Sequence, residues 1–264
     1  MFWTEKIFKT KKPIIGMCHL QPLPNDPLFD TTKGINFIIE KARNDINTLQ
    51  NEGINGILFS NEFSYPYSQK VAQVTVATMA RVLGELKNQI KIPYGVDCMY
   101  DAFSTIDLAI ATDANFYRIT LHQAELYDYE FGITQLGELI RYITLNKLKA
   151  KNIINIDSSV SLSISNKNVN ELIISIITKA FPDYLSISAT TIDKLLLHED
   201  DQFFKIFKQI NLICDGACNT ENITKILDYT NGIIVGTALK ENQQRSNPIN
   251  SMNVKKIVNI VNKY

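Results

Sequence analysis

Gly56-Ile57-Leu58-Phe59-Ser60 and Pro93-Tyr94-Gly95-Val96-Asp97-Cys98 are two short apolar runs. Between them Val76, Met79, Ala80, Leu83, Leu86 and Ile90 recur at spacings of three and four. The runs read as strands and the segment between them as an amphipathic helix with one buried stripe. Pro93 blocks continuation of that helix just before the second strand. The same unit repeats outward in both directions. β-like runs begin near Pro13, Gly56, Tyr94, Phe116, Asn152, Tyr184, Asn211 and Gly232. The first is followed by the stripe Ile35, Ile38, Ile39, Ala42, Ile46 and Leu49, ended by Gly53. Further helices are expected near Ser104 to Thr112, Ile133 to Lys149, Asn168 to Lys179, Thr191 to Lys208, Thr220 to Asp228 and Asn253 to Asn262. Eight strand-helix units imply an α/β fold with a closed parallel sheet, a (β/α)8 TIM barrel. In such barrels function sits at the C-terminal ends of the strands, so those ends are where the chemistry is sought.

The chain has 264 residues, a length at which roughly three quarters of the unfolded surface is buried and one barrel accounts for everything from 1 to 264. The 27 basic and 27 acidic residues cancel, which gives no broad footprint for nucleic acid or an anionic membrane. Met1 to Lys12 lacks the apolar core of a secretion signal, and no apolar run reaches the ~18 residues of a membrane span. A cytoplasmic protein is expected. In that compartment Cys18, Cys98, Cys214 and Cys218 read as reduced thiols filling the barrel rim. The Cys214 to Cys218 spacing matches no common zinc pattern, so no metal is expected.

Side-chain alternation selects the interior. On the fourth strand Phe116, Arg118 and Thr120 share the face opposite Tyr117, Ile119 and Leu121. On the third, Asp97 shares a face with Gly95, and on the fifth Asn155 and Asp157 alternate with Ile154 and Ile156. Arg118 flanked by Asp97 and Asp157 could hold a substrate anion beside an acid/base pair, or form a closed ion-pair network that only fills the barrel. On the enzymatic reading, Arg118→Ala should abolish turnover while the fold survives. His19, at the end of the first strand, is a candidate for moving a proton near neutral pH. His122, near Glu125 and Asp128, and His198, beside Glu199, Asp200 and Asp201, read as solvated surface groups.

A second constellation follows strands seven and eight. Cys214-Asp215-Gly216-Ala217-Cys218-Asn219 leads into a helix, and Gly236-Thr237 follows Ile233 to Val235. Glycines at these two ends let backbone N–H groups approach a phosphate. Gly216, Asn219, Gly236 and Thr237 are therefore candidate phosphate contacts, and Asp215 a candidate substrate contact. Tyr65, Tyr67, Tyr127 and Tyr129 place aromatic rings in loops after strands two and four, where they could stack on a ligand or bury against a partner. No P-loop, dinucleotide fingerprint, nucleophile elbow or metal-binding helix occurs, so nucleotide hydrolysis and hydride transfer lose support and no cofactor is expected.

Four stretches carry a resemblance: Ile15-Gly16-Met17-Cys18-His19-Leu20-Gln21-Pro22-Leu23-Pro24, Phe59-Ser60-Asn61-Glu62-Phe63-Ser64-Tyr65-Pro66-Tyr67, Thr75-Val76-Ala77-Thr78-Met79-Ala80-Arg81 and Gly236-Thr237-Ala238-Leu239-Lys240. Together they resemble the BtpA/SgcQ family, its SgcQ branch above all, over nearly the whole chain. The resemblance implies a TIM barrel related to ribulose-phosphate-binding barrels. Within that family BtpA is linked to photosystem I biogenesis and SgcQ-like members to bacterial sugar utilisation. It places His19 on the family's strand-one histidine, Asn61 on an asparagine after strand two, Asp97 where asparagine is usual and Arg118 on the strand-four arginine. Ser158-Ser159-Val160-Ser161-Leu162 stands where many members carry a polar run with His and Lys, and Ser188-Ala189-Thr190-Thr191 where a glycine-bearing turn is usual.

Three readings follow. In the first, a phosphosugar isomerase, epimerase or lyase uses Asp97, Asp157 and His19 as proton carriers, with Arg118, Asn61, Thr120 and Asp215 on a phosphorylated small-molecule substrate. The second is a non-catalytic assembly protein that kept the barrel, and the third a sensor that binds a metabolite without converting it. Barrels often pair, and the apolar run Leu172 to Ile177 offers a surface for a homo-oligomer.

Overall fold

Inward-facing residues alternate with helix-facing ones along every barrel strand, and the alternation explains both layers of the core. The computed structural model describes residues 3–121, 123–127, 130–156, 162–163, 169–197 and 210–264. Its strands in chain order are β1 (Ile14–His19), β2 (Gly56–Ser60), β3 (Tyr94–Asp97), β4 (Phe116–Thr120), β5 (Gln123–Tyr127), β6 (Glu130–Ile133), β7 (Lys151–Asn155), β8 (Leu162–Ser163), β9 (Tyr184–Ile187), β10 (Leu212–Asp215) and β11 (Ile233–Val235). Eight of them close in the order β1-β2-β3-β4-β7-β9-β10-β11, every pairing parallel. The fold is a TIM barrel.

Ile15, Met17, Leu58, Phe116, Ile153, Tyr184, Ile213 and Ile234 pack with Phe8 as one buried cluster inside the barrel. The intervening residues, such as Cys18, Phe59, Val96, Tyr117, Ile154 and Leu185, belong to the larger layer between sheet and helices. Gly95 is required where it stands. A Cβ there would lie 2.3 Å from Cε2 of Phe116, whose ring crosses the barrel floor.

The helices are α1 (Trp3–Phe8), α2 (Gly34–Asn51), α3 (Gln73–Leu86), α4 (Ala102–Thr112), α5 (Leu136–Leu145), α6 (Val169–Ala180), α7 (Ala189–Leu197), α8 (Ile223–Leu227) and α9 (Ser251–Val261). Three differences from the sequence expectation stand out. Helix α1, unforeseen in the opening segment, plugs the bottom of the barrel: Phe8 packs edge-on to Phe116 at 5.5 Å and Thr4 Oγ1 lies 3.1 Å from the Tyr184 hydroxyl. The segment after β4 is not a plain loop. β5 pairs antiparallel with β6 and β8 in a small separate sheet. The apolar run Leu172 to Ile177 is only partly a surface, since Ile173 and Ile176 are buried in the core and Ile174 is exposed. The second half of the helix expected at Thr191 to Lys208 falls outside the described residues, as do His122, Asp128, Tyr129, Asp157, Ser158 to Ser161 and the His198 to Asp201 cluster.

The N-terminal end of the barrel is stitched by amides. Asn55 Oδ1 accepts from the Ile14 N–H, Asn115 Oδ1 from Tyr94 and Asn231 Oδ1 from Leu212. Asp183 and Asn152 exchange side-chain to backbone bonds in the same way. Asn55, Asn115, Asp183 and Asn231 stand just before strands and Asn152 at the second position of β7, and each satisfies an N–H that the parallel ladder leaves open. No helix of the described residues is long and apolar enough to cross a membrane.

Candidate active site

At the C-terminal end of the strands a cavity of about 390 Å³ opens. Its floor is set by Arg118, which β4 projects inward as the alternation requires. The guanidinium is engaged from three sides. Nε donates to Asp97 Oδ2 at 2.7 Å, NH2 lies 2.6 Å from the same oxygen and 3.4 Å from Glu62 Oε1, and NH1 donates to Asp215 Oδ2 at 2.8 Å. All four residues are buried. Three carboxylates around one cation leave an excess of negative charge, which a buried cluster relieves by holding on to protons. Burial accordingly raises the Asp97 carboxyl to about 6 despite the opposing pull of Arg118, and raises Asp215 as well for the same reason. Arg118, expected to hold a substrate anion, is instead occupied by carboxylates.

The two aspartates differ in access. Asp215 lines the cavity, and its Oδ1 carries no hydrogen bond among the described residues, while Oδ2 takes Arg118 and lies 3.5 Å from the Ser186 hydroxyl. Asp97 stands behind the guanidinium and is absent from the cavity wall. Of the two aspartates, Asp215 is thus the one that faces the cavity, whereas sequence reasoning had given the proton to Asp97 and substrate contact to Asp215. Asp157 lies outside the described residues.

His19, at the end of β1, lines the cavity and is 5% exposed. It makes no hydrogen bond among the described residues, and its Nδ1 is a buried polar atom with no partner. Burial, reinforced by Lys240, Arg245 and Arg118, pushes its pKa well below the usual histidine range, so the imidazole is neutral. Its edge lies against Gly236, where a Cβ would be 3.0 Å from both Cε1 and Nε2. Gly236 therefore admits the imidazole to the rim.

The remaining candidates divide. Thr120, Gly216, Asn219, Gly236 and Thr237 all line the cavity. Among the described residues the backbone N–H groups of Ala217, Gly236 and Thr237 meet no protein acceptor. The Asn219 side chain is taken up in the turn before α8, its Oδ1 accepting from the Glu221 and Asn222 N–H groups. Asn61 is buried away from the cavity. Its Nδ2 donates to Ser64 Oγ, its Oδ1 accepts from Met99 N at 2.7 Å, and Ser64 Oγ donates on to Asp26 Oδ2. This chain ties the loops after β1, β2 and β3 together, so Asn61 positions the mouth.

Sequence reasoning missed Glu62 and Arg245. Glu62 is the second residue past β2 and accepts from the Tyr67 hydroxyl through its carbonyl oxygen. Its position past a strand end was the available signal. Arg245 comes from the segment after β11, 3.6 Å from Glu62 Oε2, and donates to the Tyr65 hydroxyl. No periodicity marks it. Tyr65, Tyr67 and Tyr100 pack side by side on the same wall, with centroids 4.6 and 5.1 Å apart.

The model of the BtpA family matches residues 10–263. The chain belongs to the BtpA family. It is 34% identical over 247 residues to the sgc region protein SgcQ of Escherichia coli strain K12, covering 91% of both chains. An uncharacterised protein of Methanocaldococcus jannaschii is 25% identical over 255 residues, 96% of each, so the family spans bacteria and archaea. The photosystem I biogenesis protein BtpA of Synechocystis is 24% identical over 254 residues, 94% of this chain and 87% of that one. Among solved structures, N-(5'-phosphoribosyl)anthranilate isomerase from Pyrococcus furiosus superposes with a TM-score of 0.57 at 10% identity, over 96% of this chain and 100% of the other. A Schiff-base-forming fructose-1,6-bisphosphate aldolase gives 0.52 at 14%, over 98% of both. These likenesses speak for the barrel.

Proposed function

We propose that the mouth binds a phosphorylated, sugar-like small molecule and moves a proton on it, in the manner of an isomerase, epimerase or lyase. The observation that carries this reading is the pairing of two kinds of group around one cavity. The backbone N–H groups of Ala217, Gly236 and Thr237, without acceptors among the described residues, suit a phosphate at the rim. Asp215, whose Oδ1 carries no hydrogen bond among the described residues, and the neutral imidazole of His19 face the same space. A carboxyl raised above its ordinary range is a better base than an exposed one, and a neutral imidazole can take or give a proton. Asp215 and His19 are the proton carriers in this reading. Arg118 holds Asp215 in place, and Asp97 and Glu62 hold Arg118. That the structural neighbours include a phosphoribosylanthranilate isomerase and a fructose-1,6-bisphosphate aldolase is in keeping with phosphorylated substrates.

The test is solvent exchange. Pentose and hexose phosphates incubated with the protein in deuterated buffer should take up deuterium at a carbon next to the carbonyl or hemiacetal, and His19→Asn and Asp215→Asn should each lose the exchange. Uptake that persists in both variants would contradict the assignment. Binding with no exchange for any sugar phosphate would favour a metabolite sensor.

A further inference from the structure

Cys214 and Cys218 have no place in that chemistry, yet they are the closest pair of thiols in the barrel. Their sulfur atoms lie 3.0 Å apart. Both residues are buried, but Cys218 lines the cavity and is reached from it. Two thiolates sharing a tetrahedral zinc stand about 3.8 Å apart, and a disulfide brings sulfurs to about 2.0 Å. At 3.0 Å the sulfurs are already closer than a shared metal would hold them, and among the described residues no group of three or more His, Cys, Asp or Glu completes a metal site around them. Cys18 and Cys98 contrast with it: Cys18 lies on β1 and Cys98 just past β3, and the sulfur beside Cys98 is that of Met79, at 3.8 Å.

We propose that Cys214 and Cys218 form a redox modification site on the cavity wall, oxidised to an intramolecular disulfide by a low-molecular-weight disulfide. The Cys218 thiolate attacks one sulfur of that reagent and expels the other half as a thiolate, leaving a mixed disulfide. The Cys214 thiolate then attacks Cys218 Sγ and expels the second half. The two protein thiols lose two protons and two electrons, and the reagent takes them up to become two thiols. Closure draws the sulfurs together by about 1 Å and tightens the intervening turn. That turn carries Asp215, which Arg118 holds, and Gly216 and Ala217, both at positive φ. Oxidation therefore displaces the groups that face a ligand. This consequence rests on the proposed phosphate reading of the mouth, whereas the disulfide itself does not.

Both cysteines fall in one tryptic peptide, Gln209 to Lys225. After exposure of the intact protein to oxidised glutathione and alkylation of remaining thiols, that peptide should be lighter than its reduced form by two hydrogens and carry no alkyl group. Two of the four thiols should remain, on Cys18 and Cys98. Cys214→Ser should instead retain one glutathione on Cys218, and dithiothreitol should reverse both products. A wild-type peptide that alkylates at both cysteines, or keeps a stable glutathione adduct, would overturn the proposal. With inorganic phosphate as probe, the thermal stabilisation of the reduced protein should vanish on oxidation and return on reduction. An unchanged stabilisation after the disulfide has formed would overturn the link to the mouth. No phosphate response in the reduced protein would count against the phosphate reading and leave the peptide mass to decide the dithiol.

Discussion

Arg118 shows how a single residue sets the character of the mouth. With Asp97, Asp215 and Glu62 packed on it, Arg118→Ala would strand three buried carboxylates, and removing one partner of a buried ionic cluster typically costs about 3–5 kcal/mol. The variant is thus expected to lose stability in urea unfolding by that amount; a midpoint unchanged from wild type would contradict the cluster. Asp97 gives a pH signature. It ionises at about 6 when folded against 3.8 as a model carboxyl, so between those values the folded chain holds the extra proton and stability falls as pH rises. Across that window wild type should lose about 3 kcal/mol more than Asp97→Asn. His19 acts with the opposite sign, its neutral form contributing stability above 6.5 that is lost as pH falls, but it is present in both proteins and cancels from the difference. Parallel pH curves for the two proteins would refute the shifted Asp97. The inward faces of Asp97 and Arg118 were legible because a strand alternates with period two. Glu62 and Arg245 were not, because they lie beyond strand ends, where no period constrains direction.

At the scale of elements, α1 is the part the sequence concealed. Six residues from Trp3 to Phe8 are too few to show a helical stripe, and their helix is held by what it plugs. Phe8 is 5% exposed and lies against Phe116, with Gly56 left bare of a side chain to admit it. Phe8→Ala should cost about 3 kcal/mol in denaturant unfolding. A loss under about 0.5 kcal/mol, the level of an ordinary surface change, would mean that the plug is dispensable. The β5, β6 and β8 sheet was hidden for another reason. β5 and β6 are only five and four residues long, and they pair with each other and with the two-residue β8 instead of joining the barrel. By contrast the barrel strands and helices α2 and α3 were plain, since each buries a continuous apolar face. The asparagines at 55, 115 and 231 add a local signature that precedes strands and could have sharpened their starts.

For the whole molecule, counting eight units was enough to close the barrel, and closure fixes which ends of the strands converge. Distances within that convergence depend on packing across it, which explains why Asn61, chosen from sequence as a ligand contact, turns out to brace three loops. The central claim is that this mouth takes a phosphorylated ligand at the rim beside Gly236. The most direct measurement is thermal unfolding of the reduced protein against inorganic phosphate, pentose phosphates and hexose phosphates, in wild type and in Gly236→Val. A ligand at 100 times its dissociation constant should stabilise wild type by about 2.7 kcal/mol, and the valine, crowding His19 at the rim, should remove that gain. No stabilisation by any of these ligands, or equal stabilisation of the valine variant, would contradict the account.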